Sequence, residues 1–349
     1  MGYVDADAHV IESRETWSYI PEADQRHMPI LVNQVWGREI RADHGQRAVE
    51  YWIMDNRHHA RDQNITLEAT AESRELKGVS ARLAHMDELG IDTQIIFPTV
   101  FLRPVVRTRA AERVLTRSYN RWLGGIWQAA PQRLRWIALP PLLSMDLARD
   151  EMKWAKDNGA VGIFMRGFEW DRCLGDPYFY PLYEIAAELD MPICIHTGNN
   201  SIVQHDFFTE DTSFTKFIQP AVSAFHSLIE KEVPAKFPTV RWSFVEAGAQ
   251  WVPYCWHHLR RRLMRAKGRR LTKSFLADNN IYVACDPAED IPYILGYAGD
   301  DHLVVGTDYG HNDATSNMNA LVQLASRDDL SPGVIVKITE TNARKLYGL

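Results

Sequence analysis

The chain has 349 residues, 46% of them hydrophobic, with a formal net charge of −6. That content supports a large core, and no stretch approaches the roughly 18 uninterrupted apolar residues of a membrane span. The acidic N-terminus lacks the basic region of a secretory signal, so a cytoplasmic protein is expected.

The first predicted element is VDADAHV (Val4 to Val10), where polar Asp5, Asp7 and His9 alternate with apolar neighbours. Period-2 alternation is the signature of a strand and puts these three residues on one face. A buried carboxylate there costs several kcal/mol unless it is paired or metal-bound. The segment from Pro29 to Gly78 breaks the later pattern and reads as an inserted hairpin or flap.

From there an amphipathic helix and a short apolar run alternate along the chain. The runs are TQIIFPT (Thr93 to Thr99), RLRWIALPPL (Arg133 to Leu142), AVGIFMRG (Ala160 to Gly167), MPICIHTG (Met191 to Gly198), TVRWSFVEAG (Thr239 to Gly248), NIYVACDP (Asn280 to Pro287) and HLVVGTDYG (His302 to Gly310). With the opening strand they make eight candidate parallel strands separated by helices, the pattern of one (β/α)8 barrel domain over residues 1–349 with 29–78 inserted. The basic stretch His257 to Arg270 has leucine and methionine at helical spacing and reads as a solvated helix face, not a nucleic-acid contact. Cys173, Cys194, Cys255 and Cys285 show no CxxC spacing and read as reduced thiols.

Barrel enzymes carry their chemistry at the C-terminal ends of the strands. Ionisable residues gather at those ends here: Asp7 and His9 on the first strand, Arg166 on the fourth, His196 on the fifth, Glu246 on the sixth and Asp308 on the eighth. His196 alone could equally be a satisfied core histidine, and Asp308 alone a helix cap. Together, two ligands at i and i+2 on one strand with an imidazole and a carboxylate from others form an N/O set suited to zinc, manganese or iron. Such a metal would bring the pKa of a bound water near 7, with Asp308 beside it to take the proton. Arg166 is a candidate clamp for a substrate anion, with an ion pair to Glu246 as its alternative. His311 follows in the last loop and is a further substrate-binding candidate. Trp251, Phe101 and Trp170 are candidate apolar walls, or plain core. His205, His226, His257 and His258 lie outside the strand-end pattern.

The Asp-x-His opening, GIDTQIIFPT, YNRWL with APQRLRWIALPPL, GAVGIFMRG, DPYFYPLYEIAAELDMPICIHTG, FVEAGAQWVPY and GTDYGH together resemble the amidohydrolase-related group of the amidohydrolase superfamily, which includes the aminocarboxymuconate-semialdehyde decarboxylase-like enzymes. The resemblance spans nearly the whole chain. It implies a (β/α)8 barrel with one divalent metal held by Asp7, His9, His196 and Asp308, zinc first with manganese or iron as alternatives, a small-molecule substrate and a homodimer. Two departures stand out. Decarboxylases of this group carry a histidine after the sixth strand, where this chain has Glu246, with Ala249 three residues on; and Asp7 stands where many relatives hold histidine or glutamate. Glu246 is thus a candidate general acid, outer-shell group or extra ligand, or the partner of an arginine in the barrel mouth.

Hydrolysis of a C–N or C–O bond in a small cyclic or aromatic acid needs only the metal-bound water, a base and a proton donor, and is the leading expectation. Non-oxidative decarboxylation of an aromatic or muconate-like acid is the alternative, with Asp308 as the proton donor. A barrel that binds a ligand without transforming it is the third reading. The segment TVFLRPVVRTRAAERV (Thr99 to Val114) looks exposed enough to form an interface.

Overall fold

The computed structural model describes residues 2–33, 50–61, 64–207 and 214–349. Eight parallel strands run in sequence order around one sheet: β1 (Tyr3–Val10), β2 (Ile91–Pro98), β3 (Leu134–Ala138), β4 (Ala160–Arg166), β5 (Ile193–His196), β6 (Trp242–Val245), β7 (Ile281–Ala284) and β8 (Leu303–Val304). The ring closes beyond β8, where Tyr309 bridges Ala8 in parallel, Ala6 donates its amide to the Val305 carbonyl and His9 donates to that of Tyr309. This is the (β/α)8 barrel. Each strand is almost wholly buried, as expected of parallel strands covered on both sides.

Helices fill the connections, among them Val79–Glu88, Arg109–Ala129, Ala148–Asp157, Tyr180–Glu188, Gln219–Glu230 and Trp251–Lys267. Arg109–Ala129 starts where the Thr108 side chain accepts the Ala111 amide, and it buries Leu115, Tyr119, Trp122 and Leu123 against the barrel. Trp251–Lys267 buries Val252, Trp256, Leu259 and Leu263 and ends at Gly268, whose φ of +64° is the left-handed conformation of a helix stop. Its arginines face outward, as the basic run predicts.

Within the interval from Pro29 to Gly78, three antiparallel strands form a small sheet: Ile30–Asn33, Glu50–Met54 and Arg57–Ala60. Part of the predicted insertion lies outside the described residues. The segment expected to be an exposed interface is not exposed along most of its first half: Val100, Phe101, Leu102, Val105 and Val106 are all buried. Its apolar residues turn inward from the loop after β2, with Phe101 against Trp17 and Tyr119. No helix among the described residues is long and apolar enough to cross a membrane.

Candidate metal centre

Barrel closure brings the first and last strands into contact at their C-terminal ends. The amides of Thr307 and Asp308 both donate to the Asp7 carbonyl, at 3.1 and 2.9 Å. Gly306 makes this approach possible, because a Cβ there would collide with the backbone and Cβ of Asp7. Asp308 is thereby set beside Asp7 although the two lie 301 positions apart in the sequence.

Four predicted ligands converge. His9 Nε2 lies 3.1 Å from His196 Nε2 and 3.4 Å from both Asp7 Oδ1 and Asp308 Oδ1, and His196 Nε2 lies 3.3 Å from Asp7 Oδ1. All four side chains are buried. His9 Nδ1 sits 2.9 Å from the Pro98 carbonyl, which can only accept, so Nδ1 carries the proton and Nε2 presents a lone pair inward. The Nδ1 atom of His196 meets the Thr197 carbonyl at 3.1 Å and Glu246 Oε2 at 3.2 Å, with the same consequence. Asp7, His9 and His196 gather with Glu246 into one set able to hold a divalent cation, and Asp308 joins His9 and His311 in an adjoining set that shares His9.

Electrostatics agree with that fit. Burial opposes charge on Asp7, yet the two histidines hold its carboxyl well below the usual carboxylate range. Burial also opposes charge on His196, but Asp7 and Glu246 outweigh it and raise the imidazole to about 9. Burial, with His311 adding to it, pushes His9 down to about 3. Burial and the neighbouring Asp308 carboxylate push Glu246 up to about 8, and Asp308 itself is raised well above its ordinary value by burial with Asp313 and Asp7 nearby. Without a cation, this many buried carboxyls must keep protons. A divalent ion is the charge that would displace them.

Glu246 and Asp308 share a backbone peculiarity: both adopt positive φ, +64° and +52°. Non-glycine residues held this way mark places where the surroundings impose the conformation. Among the described residues Glu246 meets no arginine, the alternative the sequence left open. It accepts from Thr197 Oγ1 at 2.5 Å and Thr315 Oγ1 at 2.9 Å while facing His196. Asp308 is gripped on both oxygens, by His311 Nδ1 and by Ser316 Oγ, each at 2.6 Å. His311 in turn reaches Thr99 Oγ1 at 2.9 Å. Asp7, Glu246 and Asp308 line a cavity of about 150 Å³ with Ala284, Thr315 and Asn317 among its other walls.

Arg166 does not pair with Glu246. Its guanidinium is held by both carboxylate oxygens of Glu169, Nη2 to Oε2 at 2.7 Å, and donates to the Phe101 carbonyl at 2.6 Å. The short turn after β4 supplies this partner three residues on, which the strand-end pattern did not suggest. Trp251 lies off the metal cluster: its indole N–H caps the Gly248 carbonyl at 2.7 Å and its ring packs on Phe225 and Phe244, on a neighbouring groove. Phe101 is core, and Trp170 sits in the turn after β4 with φ of +57°. Sequence reasoning missed Thr99, Thr197, Thr315 and Ser316. A hydroxyl directly after the strand-end histidine and two more after Asp308, in HNDATSN, are the signals that could have found them.

The family model described as amidohydrolase matches residues 4–349. The chain belongs to the amidohydrolase family. No curated protein sequence matches it. Among solved structures, an amidohydrolase of Mycobacterium avium subsp. paratuberculosis K-10 superposes with a TM-score of 0.78 over 99% of both chains at 17% identity. The 2,6-dihydroxybenzoate decarboxylase of Rhizobium gives 0.67 over 100% of this chain and 99% of that one at 18% identity. A 5-carboxyvanillate decarboxylase of Novosphingobium aromaticivorans, with bound manganese and 3-methoxy-4-hydroxy-5-nitrobenzoic acid, gives 0.67 over 80% and 83% at 21% identity. These likenesses extend the barrel assignment; the family assignment makes this amidohydrolase an enzyme with a cluster able to hold a metal ion.

Proposed function

We propose that this amidohydrolase removes CO2, without oxidation, from a small aromatic carboxylic acid, using one divalent metal ion held by Asp7, His9, His196 and Asp308. The observation that carries this reading is the doubly anchored Asp308 carboxyl, held by His311 on one oxygen and Ser316 on the other beside the donor cluster. The similarity to decarboxylases of hydroxylated benzoates supports it over the hydrolysis that sequence reasoning put first. When bound, the metal would supply positive charge that fixes the substrate's carboxylate or phenolate at the cluster. The residues do the rest. Asp308 relays a proton from His311 to the ring carbon bearing the carboxylate; the C–C bond then breaks, its electron pair returns to the ring, and CO2 leaves. Asp308 regains a proton through His311, which faces Thr99 on its other side. Glu246 holds the His196 ring in its metal-facing orientation.

Zinc is the first expectation for two imidazoles and two carboxylates, and manganese the second. The enzyme is taken to be a cytoplasmic homodimer. Hydrolysis is the second reading, because the same Asp308 in its ionised form would serve a bound water as base. The deciding experiment loads the purified enzyme with zinc or manganese, counts metal per chain, and assays hydroxybenzoates, lactones and cyclic amides for CO2 and for ring opening beside an Asp308→Asn variant. About one metal per chain and CO2 release lost in the variant are expected. Ring opening without CO2 would establish hydrolysis instead.

A further inference from the structure

From His257 to Lys273 the chain places eight arginines and lysines and no acid, in a protein whose net charge is −6. The run occupies the second half of the helix Trp251–Lys267 and the turn beyond it. That helix leaves the C-terminal end of β6 and returns the chain to the start of β7, so its last turns lie at the opposite end of the barrel from the metal cluster. The run stands apart from the reaction centre.

Neighbouring acids account for only part of its charge. Arg262 pairs with Glu230 at 2.6 Å, and Lys267 and Arg269 share Glu232 at 2.7 and 2.8 Å. Arg260 lies 5.1 Å over the Trp256 ring and Lys273 lies 4.4 Å over that of Tyr297. Among the described residues, Arg260, Arg261, Arg265 and Arg270 have no carboxylate within 4.0 Å and donate no hydrogen bond. Their placement is not scattered. His257, Arg260, Arg261, Met264 and Arg265 follow at i, i+3, i+4, i+7 and i+8, a single stripe along the helix. Gly268, at φ +64°, stops the helix and turns the chain so that Arg270 joins the stripe. These six residues line a groove of about 710 Å³, within the roughly 300–1,000 Å³ of small-molecule sites. Arg261 and Arg265, one turn apart, repel each other and oppose the helix that carries them. A concave stripe that works against its own helix and meets no acid is the complement of a compact, multiply charged anion. Guanidinium groups suit phosphate in particular, because each planar fork offers two parallel hydrogen bonds to its oxygens.

We infer that this groove binds a polyphosphate chain, free or carried by a nucleotide, with successive phosphates meeting Arg261, Arg265 and Arg270. The test is calorimetric titration of the metal-loaded enzyme with magnesium-saturated tripolyphosphate, magnesium-saturated ATP and sulfate at low ionic strength. Tripolyphosphate should bind at least tenfold tighter than sulfate, and the double variant Arg261→Gln with Arg265→Gln should lose that affinity tenfold or more. Arg262→Gln removes a charge that is already paired on the same helix and should leave the affinity within threefold. All three side chains are exposed, so these variants keep the fold. ATP binding tighter than tripolyphosphate would assign the groove to a nucleotide, and weaker or equal binding to the free chain. Sulfate binding as tightly as tripolyphosphate would overturn the polyphosphate class. Affinity kept in the double variant would place the anion elsewhere, at the metal cluster, and overturn the groove. An equal loss in Arg262→Gln would reduce the effect to net charge and overturn it as well. A single-stranded RNA oligonucleotide that binds tighter than tripolyphosphate through the same arginines would make the run a nucleic-acid surface instead.

Discussion

Asp308 carries two demands at once, a side chain in the donor cluster and a backbone at φ +52°. Asparagine and aspartate tolerate the left-handed region better than other side chains, because their short polar groups bond locally. Asp308→Asn keeps that backbone preference and can still accept from Ser316, whereas Asp308→Ala loses both. The alanine variant should therefore unfold at about 1–2 kcal/mol lower free energy than the asparagine variant, although both lose turnover; urea unfolding of the pair checks it, and equal stability would mean the backbone is not held by that residue. Glu246 makes a parallel case. Its carboxylate orients His196 from outside the cluster, so Glu246→Gln should weaken metal binding about 10–100-fold while leaving the barrel folded. Competition against a chromogenic chelator reads that directly. An unchanged metal affinity would instead point to Glu246 acting only on substrate.

The strands themselves were legible because burial on both faces forces uninterrupted apolar runs, and each predicted run contains the observed strand or overlaps most of it. Strand-end ligands were legible for a related reason: a charge directly after an apolar run has few structural uses. What the sequence could not display were partners brought from far away or supplied by backbone. The carbonyl of Pro98 that sets His9 has no residue-type signature. Asp5, read with Asp7 and His9 as one polar face, proves to be a tie beneath the cluster: it accepts from Thr307 N and Oγ1 and from Gln94 Nε2, while Gln94 Oε1 takes Arg82 Nε at 2.6 Å. Arg82 is fully buried, donates to the His9 carbonyl at 3.1 Å and lies 3.5 Å over the Tyr309 ring. One arginine on the helix Val79–Glu88 thus joins β1, β2 and the closing loop after β8. Arg82→Met should cost about 2–6 kcal/mol, since it leaves the buried Gln94 Oε1 and the His9 carbonyl without their donor, and it should lower metal occupancy by loosening His9. Thermal unfolding with metal analysis of the same preparation tests both. A stable variant with full metal content would show the network to be dispensable.

At the scale of the whole molecule, stability depends on pH through buried carboxyls far from the metal as well as those beside it. Glu112 is the clearest of the distant ones. It lies in the first turn of Arg109–Ala129, is 2% exposed, and accepts the Leu143 amide at 2.7 Å from the neighbouring connection. Burial raises its carboxyl from 4.5 to about 8, so the folded chain keeps a proton there that the unfolded chain releases near 4.5. Between those values the folded state binds more protons, and stability must fall as pH rises through this window. The contribution is complete below about pH 4.5 and is lost above about pH 8. Glu12, raised to about 7, and Asp5, raised to about 6, act in the same direction. Glutamine keeps an acceptor for Leu143 and has no proton to lose. Glu112→Gln should therefore match the wild type near pH 5 and exceed it by about 1–3 kcal/mol near pH 9. Urea unfolding across this range, at saturating metal so that the ligands do not titrate into the result, reads the difference. A gap that stays constant with pH would show that Glu112 is ionised in the folded protein, with its charge balanced across the helix junction by Arg166, a cation that acts on it electrostatically.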